Sequence, residues 1–202
     1  MSADASAATD RLDRTAELVS LWDSPPILGT GYFLMLARVG GPQAYLPVLL
    51  SWVLMLLLPT LLLLAQVRMG SIASADMTDL SERKRFLPTA LFFVAAAVLI
   101  SLLLRFPTAL QASIAALALW LSASTALSQV WRVSLHVSSA VGLVWLSALL
   151  FGAPALALAW LPPAVAWSRL QLHRHDVWQV AGGAILGTVC SLTPALLILH
   201  GS

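Results

Sequence analysis

Residues 46–67 read LPVLLSWVLMLLLPTLLLLAQV, twenty-two consecutive positions without a charge. A helix needs ~20 predominantly apolar residues to cross the hydrocarbon core of a bilayer, so this stretch is long enough to span one. Pro59 within it removes one backbone donor, which in a membrane helix is expected to kink the segment rather than end it. The rest of the chain has the same character: 202 residues, 59% hydrophobic, 10% charged, mean hydropathy +0.89. Soluble domains carry about a quarter charged residues, and so few charges here could not cover a surface in water. A soluble fold is excluded. The net charge of +2 does not point to nucleic acid, because the eleven Lys and Arg lie between apolar blocks and form no basic stripe interleaved with aromatics. A single cysteine, Cys190, excludes a disulfide framework and a multi-cysteine metal site.

Working outward, the charges cut the chain into uncharged stretches of comparable span length. Arg38 to Arg68 encloses 29 residues, Arg85 to Arg105 encloses 19, Arg105 to Arg132 encloses 26, and 26 follow Asp176. Each suits one crossing. Arg132 to Arg169 encloses 36, too long for one helix and suited to a hairpin turning at Phe151-Gly152-Ala153-Pro154. Asp23 to Arg38 encloses only 14, a marginal first segment from Ile27 that Arg38 could extend by snorkelling. The expectation is therefore an all-α polytopic transmembrane bundle, with six good spans plus that marginal one. With seven crossings, nine of the eleven cations and all nine acids fall on the side of the N-terminus, leaving Arg38 and Arg105 opposite. The positive-inside rule places the N-terminus and this polar side in the cytoplasm of a multi-pass cell-membrane protein.

Residues 1–24 form a separate segment ahead of the membrane domain at 25–202. They open MSADASAATD, acidic and without an apolar core, unlike a signal peptide. Leu12, Ala16, Val19 and Trp22 recur at helical spacing, which predicts an amphipathic helix over 9–22 lying at the interface before Pro25-Pro26.

Ionisable residues at helix ends near hydrocarbon are costly and mark candidate sites. Three clusters stand on the polar side: Asp76, Asp79, Glu82, Arg83, Lys84 and Arg85; Arg132, Ser134 and His136; and Ser168, Arg169, His173, Arg174, His175, Asp176 and Gln179. Guanidinium groups beside two histidines from different loops suit a phosphate: arginine forks bind its oxygens, one imidazole attacks phosphorus, and the other protonates the leaving oxygen. A metal site is not expected, since His173 and His175 cannot share a helix face and no HExxH is present. A serine hydrolase lacks its GxSxG elbow. The bland reading of Arg83-Lys84-Arg85 is a topogenic charge cluster, and that of His173 and Arg174 a solvated interfacial pair.

Ser168-Arg169, five residues, then His175, followed by a helix with Gly182, Gly183 and Gly187, resembles the last motif, SRx5Hx3D, of the type 2 phosphatidic acid phosphatase (PAP2) superfamily. Val133-Ser134-Leu135-His136 is similar to a degenerate form of its PSGH motif. The resemblance covers roughly residues 130–190 and looks like that of a divergent small bacterial member. It implies a PAP2-like bundle and a metal-independent lipid phosphate phosphatase without cofactor, acting on an isoprenoid or glycerolipid phosphate or diphosphate. By position, His175 would be the nucleophile that forms a phosphohistidine and His136 the general acid. Arg169, Ser134, Arg132, Arg83 and Arg85 would bind phosphate, and Gln179 or Asp176 would orient the nucleophile. Gln179 stands where the motif has aspartate, Leu135 where it has glycine, and no Kx6RP motif precedes them. These departures support an alternative: a catalytically inactive lipid-binding or scaffolding subunit, in a complex with other membrane subunits or as a homo-oligomer. A flippase of anionic lipids lacks the inverted repeat such folds often show.

Overall fold

The structure, a computed structural model, describes residues 3–200, with side chains from residue 10 to 199. The first two residues of the expected N-terminal segment lie outside the described residues. Among the described residues the regular structure is all helical: α1 (Ala3–Trp22), α2 (Pro25–Gly40), α3 (Pro42–Trp52), α4 (Leu58–Arg68), α5 (Leu80–Leu103), α6 (Thr108–Leu127), α7 (Leu135–Phe151), α8 (Leu161–Gln171) and α9 (Val177–His200).

Four helices are long and apolar enough to cross a membrane: Pro42–Arg68, Leu80–Leu103, Thr108–Leu127 and Val177–Leu199. This corrects the expected count of six. The 36-residue stretch does turn at Gly152, whose φ of 77° lies in the left-handed region that favours glycine, but it divides unequally. Its first arm is the 17-residue α7; a 3-10 segment, Ala153–Leu158, uses up residues before Pro162 and Pro163 open the 11-residue α8. At 1.5 Å per residue, α7 is about 25 Å long and α8 about 16 Å, both short of the ~30 Å hydrocarbon core. The marginal first segment is helical as α2, 16 residues and about 24 Å by the same rise.

Pro59 does not end its helix. Between α3 and α4 the chain passes through a π-helical turn, Val53–Leu57, in which the Leu58 N–H bonds to the Val53 carbonyl five residues back. Widening that turn accommodates a ring that would press on the carbonyl four residues earlier.

The bundle centres on α9, which packs along α6 and α7, while α5 covers α6 and α2 lies against α3 and α7. Close approach of α7 and α9 depends on glycine. A Cβ on Gly183 would stand 2.5 Å from the Ser134 carbonyl oxygen, and one on Gly187 would collide with the Ser138 carbonyl. Small residues at such crossings let membrane helices pack by van der Waals contact and polar cross-links. Tyr32 and Ser113 join α2 to α6 at 2.6 Å, and the Trp120 indole donates to Ser138 Oγ at 2.8 Å. The amphipathic segment is α1, longer than predicted, docked on α8 through its Ala16 and Ser20 side while Leu18, Leu21 and Trp22 remain exposed.

The two ends of the bundle differ. At one end, Leu36, Gly40, Pro107, Leu110 and Phe151 help to line an apolar cavity of about 370 Å³. The polar clusters gather at the other.

Candidate functional site

Local chain geometry brings the three clusters together. Asp79 caps α5 by accepting from the Ser81 N–H at 2.8 Å, Ser134 caps α7 by accepting from the Val137 N–H, and Asp176 caps α9 by accepting from the Gln179 N–H at 2.9 Å. Three helix N-termini, each with the positive end of its dipole, thus meet at one end of the bundle. At the end of α8, His173 adopts φ 51°, and the chain folds back so that the Arg174 and His175 N–H groups both bond to the Arg169 carbonyl. That return sets His175 beside Arg169.

Arg83 and Arg169 are buried almost completely, at 1% and 0% exposure. A buried guanidinium must be paired or hydrogen-bonded to offset its lost hydration. Arg83 is satisfied by main chain: Nε donates to the Met77 carbonyl at 2.9 Å and Nη1 to the Val133 carbonyl at 2.6 Å. Arg132 donates in the same way to the Thr78 carbonyl. Both therefore staple the loop between α4 and α5 onto the start of α7. Arg169 is different. Its Nη1 donates to Ser20 Oγ at 2.6 Å and its Nη2 lies 3.5 Å from Asp76 Oδ2, but Nε and Nη2 have no hydrogen-bond partner among the described residues.

His136 Nε2 lies 3.5 Å from Asp76 Oδ1 and 4.0 Å from Asp23 Oδ1. Asp76 also pairs with Arg174. His175 is buried, and neither ring nitrogen has a hydrogen-bond partner among the described residues. Burial first, then the nearby Arg169, Arg83, Arg132 and Arg174 guanidiniums, push its imidazole down to about 3, so it is neutral near pH 7 with a free lone pair. Asp23 is the counterpart. Burial raises its carboxyl to about 7 against the opposing pull of Arg169 and Arg174, and both its oxygens lack hydrogen-bond partners among the described residues.

Of the residues expected from sequence, His136, His175, Arg169, Arg83, Arg132 and Ser134 converge here. Arg85 does not: it is exposed and donates to the Ser71 carbonyl at 3.3 Å, because it sits two residues round the helix from Arg83. Asp176 is exposed and caps α9 instead of orienting an imidazole. The Gln179 side-chain oxygen is buried without a hydrogen-bond partner among the described residues, while its main-chain carbonyl accepts from the Ser134 N–H at 3.0 Å. That bond also engages the Ser134 amide, leaving its hydroxyl as the available donor. His173 is exposed, whereas Arg174, paired with Asp76, leaves the solvated pair and joins the site.

Asp23 and Ser20 belong to the site and are not among the expected residues, and Asp76, expected only as a member of the first polar cluster, belongs to it as well. Asp23 carried one signal, an acid between the amphipathic segment and Pro25-Pro26. Among the described residues no group of three or more His, Cys, Asp or Glu is placed to hold a metal ion. The arrangement has the elements of an anion site: partly unpaired arginine, helix N-termini, one imidazole free of partners and one held by carboxylates. Set against protein-family profiles, curated proteins and solved structures, the chain matches none of them, so the site stands on its own residues.

Proposed function

We propose that this chain is an integral-membrane, metal-independent phosphatase of the PAP2 kind, acting on an isoprenoid or glycerolipid phosphate or diphosphate through a phosphohistidine. The observation that carries it is His175: a neutral, buried imidazole with both nitrogens unpartnered, set beside an arginine with donors to spare. The His175 lone pair attacks phosphorus as the bond to the lipid oxygen breaks, and that oxygen takes a proton from His136. Water then attacks the phosphohistidine, its proton passes to His136, the P–N bond breaks and phosphate leaves. Arg169 and Arg174 hold the phosphate oxygens, and removal of water from the site strengthens both contacts. Arg83, Arg132, Arg169 and Arg174, gathered at the polar end of the bundle where α1 docks on α8, support a cell-membrane protein whose N-terminus and site face the cytoplasm.

A second reading is an inactive lipid-binding or scaffolding subunit, alone or with other membrane subunits. Gln179 favours it, since an amide in the place of a carboxylate cannot stabilise a charged His175. Phosphate release from a panel of lipid phosphates separates the two. Release by the purified protein and its loss in His175→Ala supports the phosphatase; equal release from both proteins sinks it, and copurifying subunits with no release favour the second reading.

A further inference from the structure

Asp23 has no part in the steps above, yet it is 3% exposed, lies between α1 and α2, and has no hydrogen bond to either carboxyl oxygen among the described residues. What faces it is His136 of α7, 4.0 Å away, with Arg169 of α8 and Arg174 of the following turn close enough to act on it electrostatically. Asp76, His175 and Arg83 of α5 face the same imidazole from the other elements. An ionised carboxylate left without donors in such a place is costly, and a protonated one is not. Asp76, by contrast, is paired with Arg169 and Arg174. Two carboxyl groups around one imidazole thus sit in unlike surroundings, one paired with guanidiniums and one without a donor among the described residues, the arrangement that separates an acid from a fixed charge.

We propose that Asp23 and His136 form a unit that carries one proton: the proton rests on Asp23, passes to His136 Nε2 as the two side chains close from 4.0 Å to hydrogen-bond distance, and is lent from there to the leaving oxygen. Asp23 acts through His136 and is a positioning residue for that proton. This inference rests on the phosphatase reading for its role in turnover. When the proton sits on His136, Asp23 is ionised and neutralises the buried imidazolium, with Arg169 and Arg174 stabilising the new carboxylate. After transfer to the lipid oxygen the unit is empty. Attack of water on the phosphohistidine returns one proton to Nε2 and then to Asp23, so each turnover is balanced. The carboxyl value of about 7 agrees with a proton held at neutral pH.

Two readouts on full-length protein in detergent test this. In Asp23→Asn the proton has only buried His136 to rest on, so the alkaline limb of the pH–rate profile of lipid-phosphate hydrolysis should move to lower pH by about one unit or more. A purely structural role would lower the rate at every pH and leave the limb in place, which would overturn the proposal. The infrared carbonyl stretch of a protonated carboxyl should be present in wild type below neutral pH, titrate away as pH rises through neutrality, and be missing in Asp23→Asn. No such band in wild type also overturns it. Absence of hydrolysis by wild type, with the band present, would overturn the phosphatase reading and the relay while leaving the shared proton established.

Discussion

Arg169 donates a 2.6 Å hydrogen bond to Ser20 Oγ across 149 positions of sequence, joining the C-terminal turn of α8 to the last turn of the amphipathic α1. Gln171 adds a second link, donating to Asp13 Oδ1 at 2.9 Å. The N-terminal helix is thereby part of the wall of the site. Hydrogen bonds to a charged group contribute about 1.5–3 kcal/mol, so Ser20→Ala should destabilise the protein by that order and Ser20→Thr by much less. Thermal unfolding in detergent checks the pair.

Asp76 occupies a position that an anionic ligand would want, with one carboxylate oxygen toward His136 and the other toward Arg169 and Arg174. A phosphate must displace it. Its side chain is 21% exposed, which gives it a route toward water. Asp76→Asn removes the built-in competitor, and inorganic phosphate is expected to bind about tenfold more tightly to the variant, as titration calorimetry would register.

Arg83 and Arg85 differ by two positions and should differ sharply in effect. Arg83 spans the Met77 and Val133 carbonyls, and its loss leaves both buried acceptors unpaired; Arg83→Gln should cost roughly 3 kcal/mol or more. Arg85→Gln, on the exposed face, should stay within about 0.5 kcal/mol of wild type. Unfolding midpoints measured side by side test the contrast.

Asp23 ties stability to pH with a definite sign. Its folded value, about 7, lies above the ordinary 3.8, so the folded state holds the proton more tightly than the unfolded chain does. The stabilising contribution is complete below pH 3.8 and is lost as pH rises through about 7. Over that window wild type should lose on the order of a few kcal/mol relative to Asp23→Asn, and above it the difference should level off. A pH series of thermal unfolding for both proteins gives the slope.

What the sequence disclosed, and what it concealed, follows from the range of the forces involved. The long apolar runs were legible because span length is a local property: Val177–Leu199 and Leu80–Leu103 lie where the charges put them. The hairpin departs from the expected pair of spans because an uncharged run says nothing of how its residues divide, and the 3-10 segment with Pro162-Pro163 shortens its second arm below a span. In the site, His136, Arg169 and His175 stood out by residue type at helix ends. Asp23 and Ser20 did not, since their place is set by the docking of α1 on α8, a contact without a sequence period. Asp176 shows the converse: adjacent to His175 in sequence, it is spent on capping α9.

The most direct test of the account is to trap the phosphoenzyme. Protein incubated briefly with a lipid phosphate labelled at phosphorus and quenched in alkali should carry an acid-labile, alkali-stable label that maps to the peptide containing His175 and is missing from His175→Ala. Phosphate release by wild type with no label at His175, or with the same label in His175→Ala, would contradict it.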